Sequence, residues 1–103
     1  MSTGRLEKLQ ALLEKEPNDA FLNFGLAMEL AKHERFAESL AQFERTIQLD
    51  PNYIAAYFQR GRTMVTMGDI PTAREALREG IHKAAEIGEF HAKSEMEELL
   101  ASL

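Results

Sequence analysis

PNYIAAYFQRG, residues 51–61, opens with a dipeptide that has already occurred as Pro17-Asn18, 34 residues earlier. Proline disfavours a helical conformation at the residue before it, and asparagine is a good helix N-cap, so Pro-Asn marks a place where one helix stops and the next begins. The interval between the two copies has room for two helices of about three turns each and the turn that joins them. A chain that repeats a helix–turn–helix at this spacing is a helical repeat.

Reading outward in both directions gives six segments. Leu6, Leu9, Leu12 and Leu13 lie on one stripe of a helix that stops before Pro17. A second helix is expected to begin at Asn18 or Asp19 and to run to about Lys32, where His33-Glu34-Arg35 forms a polar turn. A third carries Phe36, Leu40, Phe43 and Ile47 and is closed by Pro51. Asn52 is expected to cap a fourth helix reaching about Met67, with Gly68 at its C′ position. Asp69 is expected to cap a fifth, with Pro71 tolerated in the first turn, where the amide hydrogens have no helical partner. That helix carries Ile70, Ala73, Leu77, Ile81 and Ala84, and Gly88 ends it. A sixth, Glu89 to about Leu103, has Ala92, Met96, Leu99 and Leu103 on one side and His91, Glu95, Glu98 and Ser102 on the other. The expected fold class is all-α, about six antiparallel helices with short loops.

Composition agrees. A chain of 103 residues fits one domain, and 45% hydrophobic residues are enough for a globular fold. Six Gly and three Pro are few for a β protein full of tight turns. The formal charge is −5, from 12 Lys and Arg against 17 Asp and Glu, with the signs interspersed. Phosphate binding needs clustered basic residues, so nucleic acid is not an expected partner. The absence of Cys removes disulfides, thiolate metal sites and Cys nucleophiles, and suits a reducing cytosol. The N-terminal MSTGRLEKLQ has no apolar leader region, and no stretch approaches the ~20 apolar residues of a membrane span. The expectation is a soluble cytoplasmic protein that engages no membrane.

The residues inside the repeat can then be compared with a known pattern. Tyr57, Arg60, Gly61 and Met64, followed by Ala73 and Leu77, form one set. Asn23, Leu26, Ala27 and Leu30, followed by Ser39, Phe43 and Pro51, form the other. In each, a small residue precedes the next by twelve positions, Gly61 to Ala73 and Ala27 to Ser39. This resembles the tetratricopeptide repeat (TPR) family, whose pattern is W-x2-L-G-x2-Y, then A-x3-F, then P. The small residues let the two helices of a unit approach closely, while Tyr57, Met64, Phe43 and Leu77 fill the space around that contact. The sequence departs from the pattern at three places. Asn23 stands where a large aromatic is usual, Glu34 occupies the turn position held by Gly68 in the second unit, and Ala85 replaces the closing proline. The resemblance implies a right-handed superhelix of helix–turn–helix units. It divides 1–103 as a single domain: a partial first unit at 4–15, full units at 18–51 and 52–87, and a C-terminal capping helix at 89–103.

The resemblance also implies a function. TPR proteins bind peptides or partner helices in a groove lined by the first helix of each unit, so this chain is expected to be a non-enzymatic interaction module with a protein or peptide partner and no cofactor. In the first unit Phe21, Phe24, Met28 and Lys32 lie away from the packing stripe; in the second the corresponding positions are Ala55, Phe58 and Arg62, with Gln59 and Thr66 alongside. Phe24 and Phe58, one repeat apart, are expected to stack as neighbours along the groove, with Lys32, Arg62 and Lys93 flanking it. Some family members hold a C-terminal carboxylate with Lys, Arg and Asn on these helices. Here the matching positions are mostly Phe24, Met28, Phe58 and Gln59, so hydrophobic recognition is expected, with Phe24, Phe58 and Arg62 carrying most of the affinity. Two other readings compete. The aromatics can be core between adjacent first helices. Alternatively, the chain is a homodimer in which Phe21, Phe24, Met28 and Phe58, or the terminal helices, bury against a second copy.

The sequence also carries residues of types that do chemistry. Glu79-x-x-His82 has the spacing of a carboxylate–histidine pair on one helix face, but a di-metal site needs a second such pair, and none occurs. His33 in its turn and His91 on the polar side of the last helix read as surface residues. Ser39 has no His or Asp at suggestive spacing and reads as a packing residue. The acidic run Glu95, Glu97, Glu98 reads as a solvated face, and no Gly-rich phosphate loop is present. No metal site and no catalytic residue are expected.

Overall fold

Leu, Ala, Glu and Lys fill the segments between punctuating Pro, Gly and Asp residues, and each segment closes into a helix. The computed structural model describes residues 3–103. Its elements are α1 (Thr3–Lys15), α2 (Ala20–Lys32), α3 (Phe36–Leu49), α4 (Ile54–Thr66), α5 (Ile70–Ile87) and α6 (Phe90–Ala101), with no strand among the described residues. The helices fall into two compact units, one ending at Pro51 with α1–α3 and one spanning Asn52–Leu103 with α4–α6.

The helix ends show why the boundaries fall where they do. At the start of α2 the Asp19 carboxylate accepts a hydrogen bond from the Leu22 amide at 2.8 Å, satisfying an amide with no helical acceptor. The N-cap of α4 is Tyr53, not Asn52 as the residue type suggested, because the 34-residue register carries the Asp19 position to 53. Asp69 holds the N-cap position of α5 as expected but makes no side-chain capping bond. Three helix ends close by the same pair of hydrogen bonds. The Arg35 amide donates to Leu30 O and the Glu34 amide to Ala31 O; Asp69 and Gly68 repeat this on Met64 and Val65, and Glu89 and Gly88 on Ala84 and Ala85. This closure needs a left-handed residue, which Gly68 (φ 82°) and Gly88 (φ 79°) adopt freely. In the first unit the residue is Glu34 at φ 60°, where a Cβ makes the conformation costly.

In the first unit Leu6 of α1 packs with Leu26 and Leu30 of α2, and Leu9 and Leu13 lie against them. On the other side of α2, Ala27 and the α3 residues Ser39, Phe43 and Thr46 have no exposed surface. The buried hydroxyls are satisfied: Ser39 Oγ donates to the Ala27 carbonyl at 2.7 Å, and Thr46 Oγ1 to the Gln42 carbonyl at 2.8 Å. Ser39 is therefore a packing residue whose hydroxyl ties α3 to the α2 backbone. Asn23 is buried too, and its Nδ2 donates to the carbonyls of Pro17 (3.1 Å) and Asp19 (2.8 Å). In place of an aromatic, it supplies two hydrogen bonds that hold the turn into α2.

In the second unit the close approach is set by glycine. A Cβ on Gly61 of α4 would lie 2.6 Å from Leu77 Cδ2 of α5, and one on Gly80 of α5 would lie 2.6 Å from the Met96 sulfur of α6. Ala73, Leu77, Ala84 and Met96 are fully buried around these contacts. Burial pushes the Tyr57 phenol above its ordinary pKa; Lys83 and Arg60 oppose the shift, and Glu79 and Glu86 add to it.

Candidate functional site

The residues expected to meet a partner lie on α2 and α4. Phe21, Phe24, Met28 and Lys32 are spaced i, i+3, i+7 and i+11, so they form one stripe along α2. Shifting each by one repeat gives Ala55, Phe58, Arg62 and Thr66, the same stripe on α4.

On α2 the stripe is apolar and open. Phe21 is 70% exposed and Met28 39%, and Lys32 is exposed at the end of the helix. Phe24 is half-buried: its ring meets that of Phe43 edge-on, with centroids 5.9 Å apart. It is therefore partly a core residue of its own unit, and its remaining surface continues the stripe between Phe21 and Met28.

On α4 the stripe is more polar. The Arg62 guanidinium lies over the Phe58 ring, 5.7 Å from its centroid, a cation–π arrangement that holds both side chains on the surface. Phe58 and Gln59 are half-buried, while Ala55, Arg62 and Thr66 are exposed. Thr66 Oγ1 donates to the Arg62 carbonyl at 3.1 Å, so its hydroxyl is partly occupied by its own helix. Lys93 lies on α6 with its Nζ 3.6 Å from a Glu97 carboxylate oxygen.

Several features were not visible in the sequence. Glu29 of α2 is buried, with one carboxylate oxygen 3.2 Å from Arg5 Nε of α1 and the other 3.3 Å from His33 Nε2. His33, read as a surface residue, is half-buried beside this carboxylate because the turn folds it back over the last turn of α2. In the second unit Arg60 is buried, stacks on the Tyr57 ring at 5.5 Å and pairs with Glu79 at 3.0 Å. Glu79, half of the Glu-x-x-His spacing, is thus held by a guanidinium. His82 points outward towards Glu86 at 3.9 Å. Among the described residues no three His, Cys, Asp or Glu are grouped to hold a metal ion. No helix among them is long and apolar enough to cross a membrane. Besides a hollow on α1 lined by Lys8, Ala11, Leu12 and Lys15, open clefts lie between helices within the units. One, of about 310 Å³, lies between α1 and α2 beside Leu13, Asn23 and Leu26. Another, of about 510 Å³, is lined by Arg78, Ile81, His82 and Ala85 of α5 and Glu97, Leu100 and Ala101 of α6.

This arrangement of exposed apolar and cationic groups can hold another polypeptide, and comparison with known proteins agrees. The family model described as tetratricopeptide repeat matches residues 43–75. A TPR repeat-containing protein of Pseudomonas aeruginosa is 34% identical over 101 residues, covering 95% of this chain and 93% of that protein. The solution structure of a Bordetella parapertussis protein superimposes with a TM-score of 0.84 at 29% identity, over 94% of this chain and 84% of that one. The TPR2B domain of yeast Sti1, solved in complex with pHsp70, gives a TM-score of 0.85 at 25% identity, over 93% and 77% of the two chains. With the 34-residue register, the close-packed small residues and a relative matched along nearly its whole length, the chain belongs to the tetratricopeptide repeat family, a family of protein–protein interaction modules.

Proposed function

We propose that this chain is a non-enzymatic interaction module that binds an apolar peptide or the apolar face of a partner helix on the α2 stripe of Phe21, Phe24, Met28 and Lys32. The α4 stripe of Ala55, Phe58, Gln59, Arg62 and Thr66, with Lys93 of α6, is the contact strip of the second unit. The division into a partial unit at 4–15, repeats at 18–51 and 52–87 and a cap at 89–103 belongs to the same reading. So does a cytoplasmic setting, which the absence of cysteine suits.

The observation that carries the proposal is the exposure of Phe21 and Met28. A 13-residue helix already buries Leu26, Ala27 and Leu30 on its core side, yet leaves a phenylalanine and a methionine in water on one further stripe. Covering both recovers about 2 kcal/mol together, because Phe21 is 70% and Met28 39% exposed at the outset, which is the size of a binding hot spot. Lys32 at one end favours a peptide with an acidic group beyond its apolar residues. The pHsp70 complex of the Sti1 domain supports a polypeptide ligand for this fold.

The test is selection of peptides from a random display library on the immobilised protein, followed by fluorescence anisotropy with a selected peptide. Phe21→Ser with Met28→Ser, both at exposed positions, is expected to weaken binding by at least about tenfold. Phe58→Ala with Arg62→Ala, expected to weaken it less, measures the α4 strip. A Phe21/Met28 variant that melts like wild type and binds the peptide equally well overturns the assignment.

A further inference from the structure

The 34-residue register singles out one pair of positions in each hairpin. In the first unit Ser39 of α3 lies against Ala27 of α2, bonded to its carbonyl at 2.7 Å. In the second unit Gly61 of α4 holds the matching place, tight against Leu77 of α5. One repeat before Ser39 stands Arg5 of α1. The N-caps of α4 and α6, Tyr53 and Glu89, set the offset between those two helices, and that offset carries Gly61 to Glu97. At the places where the two hairpins use a small residue for close approach, α1 and α6 carry opposite charges. Arg5 is 70% exposed and Glu97 50%.

The surroundings of the two residues match as well. Leu12 stands one repeat before Thr46, a fully buried position, yet is 48% exposed; it lies with Ala11 between Lys8 and Lys15. Leu100, at the register of the buried Met64, forms with Ile81, Ala85 and Ala101 the apolar floor of the α5–α6 cleft. The α1 surface is apolar with a basic margin of Arg5, Lys8 and Lys15. The α5–α6 cleft is apolar, with Glu97 of α6 on one side and Arg78 and His82 of α5 on the other.

We propose that these two surfaces bind each other between copies of the chain. α1 of one copy lies antiparallel along α6 of a second, beside the α5–α6 cleft and as α3 lies along α2, with Arg5 against Glu97 and Leu12 towards the exposed Phe90. The contact joins two different patches and uses none of the α2 or α4 stripe residues. An Arg–Glu pair needs more room than Ala against Ser, so the helices sit further apart than inside a unit and the association is reversible.

Charge reversal tests this directly. Sedimentation velocity on the whole chain, up to millimolar concentration, is expected to show a weight-average mass rising above the 11.7 kDa of one chain. Arg5→Glu alone and Glu97→Arg alone are each expected to stay at one-chain mass, because each places like charges across the contact. An equimolar mixture of the two restores the rise, since each contact between unlike variants again pairs Glu with Arg. Leu12→Glu, at an exposed position away from Glu29, is expected to abolish association without disturbing the Arg5–Glu29 pair. A wild-type mass constant at 11.7 kDa throughout overturns the proposal. So does association that survives either reversal, or a mixture that stays monomeric although both variants melt like wild type. Association that survives all of these variants but is lost in Phe21→Ser/Met28→Ser points to the α2 stripe as the contact, and equally overturns it.

Discussion

Replacing Glu34 by glycine is expected to stabilise the protein. Glu34 adopts φ 60° to close α2 with the hydrogen-bond pair that Gly68 and Gly88 form at the ends of α4 and α5. The left-handed conformation costs a residue with a Cβ about 1–2 kcal/mol. Glycine removes that cost and gives back roughly 0.5–1 kcal/mol through its greater freedom in the unfolded chain. The net gain is about 0.5–1 kcal/mol, a rise in Tm of about 3–6 °C for a domain of this size. Gly68→Ala is the converse. A Cβ there meets nothing within 4 Å, so its loss of roughly 1 kcal/mol comes from backbone conformation alone. Thermal melts followed by circular dichroism measure both. A Glu34→Gly variant that melts at or below wild type refutes the reasoning, because the side chain is exposed and only backbone strain is being relieved.

Three further outcomes follow from the packing. Gly61→Ala brings a methyl 2.6 Å from Leu77 Cδ2 and 2.9 Å from its Cγ, and Leu77 is fully buried. The overpacking, about 1–3 kcal/mol, exceeds the roughly 1 kcal/mol gained in helix propensity, so the urea midpoint falls. Ser39→Ala removes the donor to the Ala27 carbonyl and is expected to cost about 1 kcal/mol by the same assay. Tyr57 titrates above its ordinary 10.0 because burial favours the neutral phenol. Its contribution is therefore complete below the unfolded value and is lost as pH rises through the folded one. Tyr57→Phe is expected to lose less of its urea midpoint than wild type between about pH 9 and about pH 11.

The helix ends were legible in the sequence wherever a residue type is tied to a backbone conformation. Proline at 17 and 51 and glycine at 68 and 88 each mark the end of a helix. Asn52 misled because capping preference was read from residue type, while the register and the chain path made Tyr53 the cap. Glu34 was seen to hold a glycine's place; its positive φ is the physical content of that substitution. The stripe on α2 was legible from spacing alone, since helical geometry fixes which residues share a face. How Phe24 divides between core and surface was not, because that depends on Phe43 nineteen positions away. The buried Glu29 was missed for the same kind of reason. A glutamate in a helix reads as solvated until a tertiary partner, here Arg5 of another helix, comes into view. Arg60 and Glu79 show this from the other side, as a motif position and a would-be metal ligand that are in fact each other's counterion.

The glycine at position 80 has a chemical consequence. The Met96 sulfur lies 2.6 Å from where a Cβ on Gly80 would be, and Met96 has no exposed surface, whereas Met28 and Met67 are 39% and 41% exposed. A sulfoxide oxygen has no room in that slot, so peroxide can reach Met96 only when α6 lifts from α5. Oxidation of Met28 and Met67 runs at the rate of the reagent, while that of Met96 runs at the frequency with which the last helix opens. Methionine chemistry, read by mass spectrometry, turns the slot into a clock for the undocking of α6.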